Sequence, residues 1–355
     1  MRKTLILYIL VLLWPSALKS ATQGEFNAGQ MIMEHVTDAH EWHIFSIGHT
    51  HVSIPLPVIL WHEGRLYVFN FSQFHHGEST YKGFKYMTDG PLKGKIVYIS
   101  ESDGQPVVPL DFSITKNVLA IFFSVILLLV IFFSIASYYR RNPNTPPRGL
   151  AALLEPIILF IRDDIARSSI GEKLYERYTP YLLTVFFFIF FNNLMGLVPF
   201  FPGGANVTGN ITVTMVLALF TFFITTISGN RDYWRHIFNA PGVPWWLKIP
   251  VPLMPVVELL GVFTKPFVLM VRLFANITAG HIIVLGFISV IFIFGNIHPA
   301  LGYGVSWVSV LMSVFLSLLE LLVAFLQAFV FTLLSALYFG MATEEHASDH
   351  SHTSH

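Results

Sequence analysis

Val271 to His281 reads VRLFANITAGH. It sets an arginine, an asparagine and a histidine inside a run otherwise apolar enough for hydrocarbon, and the folding of that run decides the architecture. Two apolar regions are involved, Pro250 to Phe294 and Val305 to Gly340. As helices they would be roughly 65 and 54 Å long, against a bilayer core of ~30 Å. Such helices must tilt, bend or break. They meet at GNIHPALGYG, a Gly- and Pro-rich turn, and are read as a helical hairpin. The alternative is a break at Lys265-Pro266, which gives two spans and moves the C-terminus to the other side.

Composition agrees with a membrane protein. Of 355 residues, 54% are hydrophobic and 12% charged, with mean hydropathy +0.62. Acidic and basic residues balance at 21 each, so nucleic acid is not an expected partner and the lipid bilayer is. The chain has no cysteine, which excludes disulfides, Cys-based zinc sites and thiol nucleophiles. It has neither a GxxxxGK[ST] loop nor a GxGxxG turn, and neither GxSxG nor HExxH. A non-catalytic chain with no cofactor is expected.

Residues 1–21 have a basic start, an apolar run from Leu5 to Leu13 and small residues near Ala17 to Ala21, the pattern of a secretory signal peptide. Lys19 lies close to the cleavage point, so an uncleaved anchor is the alternative. Residues 22–113 are polar, with alternating stretches such as RLYVFNF and KIVYIS between the turn signals HEG and SDGQP. They predict a small extracytoplasmic domain with some β structure. Its histidines lack metal-ligand spacing and are read as surface and turn residues.

The membrane domain, residues 114–341, begins with spans at Val118 to Tyr138, Tyr181 to Val198 and Ile211 to Ile227. The hairpin brings the total to five, so the fold class is an all-α polytopic membrane protein. Between the first two spans, LAALLEPIILFIRDDIAR puts Leu150, Leu153, Leu154, Ile157, Ile158, Ile161 and Ile165 on one helical face, predicting an amphipathic helix on the membrane surface. Arg and Lys concentrate from Arg140 to Arg177 and from Asn230 to Lys248, which makes those loops cytoplasmic. The C-terminus is then cytoplasmic and the N-terminal domain outside. Trp245 and Trp246 mark the interface, and residues 342–355 form a His- and acid-rich tail, read as a disordered end.

A charge near the bilayer centre costs about 2.5–3.5 kcal/mol, so intramembrane charges are functional or paired. The first long helix carries Glu258, Lys265, Arg272, Asn276 and His281, and the second Glu320 and Gln327. At about 100° per residue the first four fall within about 40° of one line, whereas His281 lies about 180° from Arg272. Counting from the hairpin midpoint, His281 pairs in level with Glu320, and Arg272 with Gln327. A histidine and a buried carboxylate can pass protons; an arginine keeps its charge. The bland alternatives are buried ion pairs for the charges and close helix packing for Ala275, Ala279 and Gly280.

These residues resemble subunit a of the membrane sector of rotary F-type ATP synthases. The resemblance spans most of Val118 to His346 and is carried by VRLFANITAGH and ELLVAFLQAFVF, with PVVELLGVFTKP and FFNNLMGLVPF in support. It implies that Arg272 is the essential arginine, with Asn276 beside it and Gln327 opposite. It implies a relay of His281 and Glu320, in the mitochondrial rather than the bacterial order. Gly196 stands where some members have an acidic residue, which makes Asn193 the candidate for the outer channel.

The resemblance further implies two half-channels separated by Arg272, serving a ring of c subunits each bearing a carboxylate, beside subunit b of the stator stalk and the other synthase subunits. Protons would enter by Asn193, His281, Glu320 and Gln327 and leave along Glu258, with Lys265 on that stripe either contributing or snorkelling. The location implied is a bacterial inner membrane. A self-contained transporter or ion channel with its own site at Arg272 is the competing function; no internal symmetry of the kind transporters show is found.

Overall fold

The computed structural model describes residues 27–47, 50–100, 104–143, 145–198, 201–238 and 253–344. The expected signal segment, Trp245, Trp246 and residues 345–355 of the expected tail lie outside them, while Ala342 and Thr343 continue the last helix instead of opening a tail. The described residues open with α1 (Ala28–Val36), N-capped by the Asn27 side chain, which accepts from the Gln30 amide. Nine short strands follow in three antiparallel sheets: β1 (Glu41–Ile47) with β2 (Thr50–Pro55); β4 (Arg65–Asn70), β3 (Pro57–His62) and β9 (Leu110–Asp111); and β5 to β8 between Thr80 and Val107. Along β3 burial alternates, Val58 and Leu60 turning inward onto Phe71, Phe74, Phe84 and Ile96.

This domain is fastened to the membrane helices. The Asp38 carboxylate accepts the Asn117 amide at 3.0 Å, supplying a cap to the first turn of α2 (Lys116–Arg141), whose own N-cap is Thr115. Trp42 is buried against Ala120, Ala205 and Val207, and its ring meets Phe201 edge-on at 5.2 Å. α1 packs on the first long helix. His40 and Asp111, 3.2 Å apart, close the sheet around this joint. Burial alone would raise the Asp111 carboxyl, but hydrogen bonds from His40 and Ser113 outweigh it and hold it below its usual range.

Among the described residues, five helices are long and apolar enough to cross a membrane: α2, α4 (Tyr175–Leu197), α5 (Ile211–Ser228), and two of 45 residues each, α7 (Leu253–Ile297) and α8 (Pro299–Thr343). α3 (Leu150–Leu159) and α6 (Arg231–Phe238) are short. α7 runs through Pro266 without a break, so the hairpin holds and the two-span alternative does not. Its turn is a single residue: His298 is extended and its imidazole accepts from the Ala300 amide, with Pro299 opening α8. A methyl group at Gly302 would come within 2.8 Å of the Gly295 Cα, so glycine on both arms allows the close start.

The amphipathic segment departs from the periodicity. After α3 the backbone passes through a π-helical stretch, Phe160–Arg167, before a last helical turn at Ser168–Ile170. The wider turn changes the phase of the apolar face. Ile161 and Ile165 are buried in the bundle core, but Leu150 and Leu153 are exposed rather than on the packed face. Leu182, Phe186 and Ile189 of α4, Leu269, Leu273 and Ile277 of α7, and Phe331 of α8 complete that core.

Candidate functional site

α7 and α8 pack along each other, and the charged and amide residues read from the sequence lie on and between them. On α7, Leu269, Leu273 and Ile277 are buried while Arg272 and Asn276 are exposed. This is the division that a 3.6-residue period produces. Arg272 makes no hydrogen bond or ion pair with the described residues; the phenol of Tyr338 on α8 lies within its electrostatic reach. Gln327 is buried, and no hydrogen bond joins it to Arg272 among the described residues.

His281 lies on the other side of α7, its Nδ1 3.2 Å from Oε1 of Glu320. Glu320 is 6% exposed, and that oxygen has no hydrogen-bond partner among the described residues. The pair is therefore close enough to bond but not aligned; a turn of the imidazole would align it. The carboxylate rests on bare backbone, because a side chain at Gly280 would begin 2.9 Å from the same oxygen. A cavity of about 110 Å³ opens between the helices, lined by Asn276, Gly280, Val284, Leu319, Glu320 and Val323. It joins the Glu320 carboxylate to the exposed face carrying Asn276.

Asn193 is buried where α4, the 201–210 loop and α8 meet. Its Nδ2 donates to the Ala324 carbonyl at 3.1 Å and its Oδ1 accepts from the Thr208 hydroxyl. Both ends of the amide thus tie α4 and the 201–210 loop to α8. The position beside His281 is that of Gly196, whose missing side chain would start 3.5 Å from the imidazole Nε2.

Toward the far end of α7, Lys265 holds its ammonium 5.6 Å from the centre of the Tyr338 ring and 4.0 Å from Met341 Sδ. Glu258 lies within electrostatic reach of Lys265 and of Tyr233 on α6. Tyr338, set between Lys265 and Arg272, escaped the sequence reading because a tyrosine in an apolar helix carries no signal of its own. Lys116 was also missed. It immediately precedes the apolar run and reads as a flanking lysine, yet it is buried within electrostatic reach of His281.

Known proteins match both parts of the chain. A profile described as ATP synthase A chain covers residues 119–340, and one described as Domain of unknown function (DUF8433) covers residues 31–112. ATP synthase subunit a 2 of Chlorobium luteolum is 47% identical over 244 residues, covering 67% of this chain and 67% of that one. ATP synthase subunit a of Chloroherpeton thalassium is 44% identical over 251 residues, with coverage of 68% and 71%. ATP synthase subunit a of Myxococcus xanthus is 45% identical over 251 residues, with coverage of 68% and 78%.

Fold and site together define a multi-pass membrane protein with ionisable groups set between two very long helices. With the profile match running from α2 to the end of α8, the chain belongs to the ATP synthase subunit a family.

Proposed function

We propose that this chain is the proton-translocating stator subunit of a rotary F-type ATP synthase in a bacterial inner membrane, with its N-terminal domain outside and its C-terminus cytoplasmic. It catalyses no reaction itself. It works beside a ring of c subunits and is held by subunit b of the stalk. The observation that carries this reading is the exposed Arg272, which no described residue neutralises, beside Asn276 on the exposed face of α7.

A permanent charge left bare in a bilayer calls for a partner, and none of the described residues supplies one. A ring carboxylate fits. Buried in lipid it favours its protonated form by up to ~3–5 pKa units, and within ~4–6 Å of a cation it is drawn back toward ionisation. Arg272 therefore discharges each arriving carboxylate and separates two half-channels. His281 and Glu320, with the cavity reaching Asn276, reload the departing one from outside, and Gln327 borders that route. Glu258 leads the released proton toward the cytoplasm. Lys265, turned onto Tyr338, sets the local charge there.

Because the chain has no cysteine, single cysteines can be placed cleanly. Asn276→Cys in the assembled synthase is expected to cross-link to a cysteine placed beside the ring carboxylate, detected as an a–c product on gels. If that pair stays unlinked while Asn276→Cys links to another stator subunit, the rotor assignment fails.

The support under Glu320 gives a second expectation. In Gly280→Ala the new methyl group meets only the end of a flexible side chain, so folding should lose no more than about 1–3 kcal/mol. The carboxylate must move away from its present rest. ATP-driven acidification of vesicles is expected to fall several-fold at unchanged subunit content; unchanged pumping would show that the position of Glu320 is unimportant.

A further inference from the structure

A second cavity lies between α2 and α3, and no residue of the site above lines it. It measures about 170 Å³ and is bounded by Ile135 and Tyr139 of α2 and by Ala151, Glu155, Ile158 and Leu159 of α3. The spacings are those of two helix faces laid together, four residues apart on α2 and four, then three or four, on α3. The loop between them is tied down by the Tyr138 hydroxyl, which donates to the Pro146 carbonyl at 3.0 Å.

Packed faces at membrane level are apolar, and two residues break that rule here. Glu155 is the only charged residue between Arg148 and Arg162, and it holds no ion pair among the described residues. The Tyr139 hydroxyl is buried with no hydrogen-bond partner among the described residues, within electrostatic reach of the Glu155 carboxylate. A carboxylate and a phenol oxygen facing one small apolar-walled space call for a cation that donates hydrogen bonds.

The level of the pocket identifies the source of that cation. Arg140 and Arg141 close the last turn of α2, and Arg148 stands just before α3. All three are exposed, and none holds an ion pair among the described residues. Basic residues at the end of a span mark the layer of lipid phosphates. A primary ammonium joined by two carbons to a phosphate is the headgroup of phosphatidylethanolamine. An apolar cavity of ~150 Å³ takes up a molecule the size of benzene, so this one has room for an ethanolamine group.

We propose that the α2–α3 pocket binds the headgroup of an aminophospholipid. Its ammonium donates to Glu155 and to the Tyr139 hydroxyl, its methylenes lie against Ala151 and Ile158, and its phosphate stays outside among the arginines. A quaternary ammonium is excluded by bulk and by having no N–H to donate. The bound lipid fastens the surface helix to the end of the first span and takes no part in the proton route.

Carbodiimide coupling tests this, because it condenses a carboxylate with a primary amine held against it. Assembled synthase in vesicles of phosphatidylethanolamine and phosphatidylglycerol is treated with a lipid-soluble carbodiimide, and the subunit a peptide bearing Glu155 is analysed by mass spectrometry. A lipid amide is expected at Glu155, several-fold more abundant than at the exposed Asp164. Tyr139→Phe is expected to lower the yield several-fold, and Ala151→Leu, which fills the space, to nearly abolish it. In vesicles of phosphatidylcholine and phosphatidylglycerol supplied with free ethanolamine, little coupling is expected.

The proposal is overturned if Glu155 couples no better than Asp164, or if both variants couple as the parent does. Free ethanolamine coupling as well as the lipid would replace it with a site for soluble amines. A cross-link from Glu155 to a lysine of another subunit would replace it with a protein interface. Should Ala151→Leu fail to assemble, Tyr139→Phe decides. None of these outcomes bears on Arg272, so the rotor assignment stands or falls separately.

Discussion

Replacing Arg272 by alanine is expected to abolish both ATP synthesis and ATP-driven pumping, to below about one-hundredth of the parent rate, while the synthase still assembles. The first half follows from electrostatics. A cation 4 Å from a carboxylate, at an effective dielectric of about 20, contributes ~4 kcal/mol, close to three pKa units at ~1.36 kcal/mol each. Without it a ring carboxylate entering the interface stays protonated, and nothing empties it on the way past. The second half follows from the exposure of the side chain: no described residue loses an ion pair or hydrogen bond when the guanidinium goes. The check is ATP-driven acidification and ATP synthesis in vesicles, with subunit content measured in the same membranes. Coupling that survives in Arg272→Ala would sink the reading.

The second large effect is expected at His281 and Glu320. Their side chains lie 3.2 Å apart in a buried setting, so each is the other's immediate proton partner. Truncating either, as His281→Ala or Glu320→Ala, should slow pumping by roughly a hundredfold, the lower end of what losing a positioned acid or base costs. The barrier to leakage should stay, because Arg272 is untouched. Exchanging the two, His281→Glu with Glu320→His, keeps one imidazole and one carboxylate at the same junction and should recover much of the loss. An assembled exchange enzyme as slow as the worse single variant would show that place, not pairing, is what matters.

Much of this was legible because lipid imposes strict rules. Helix positions followed from apolar length, and the two faces of α7 from a simple angular count, since Arg272 and Asn276 are exposed while His281 turns the other way. The His281–Glu320 contact came from counting outward from the hairpin turn. What escaped depends on packing between segments distant in sequence. A π-helical stretch reset the face of 150–170, which no periodic count over Leu150 and Leu153 could foresee. The partners of the Asn193 amide, Ala324 and Thr208, lie on other segments that no local pattern around Asn193 could name. Lys116 was passed over because the His35 carbonyl that its ammonium meets lies far earlier in the chain, at the end of α1.

The bare flank of α7 and α8 has a mechanical corollary. Exposed side chains of α7 and α8 include Val268, Val271, Ile283, Leu319, Leu322 and Leu326, which offer grease rather than grip. Attraction of that kind has no preferred direction, so a neighbour sliding across it meets few bonds to snap at each step. On the assignment proposed here, the surface is a bearing with a single electrical tooth.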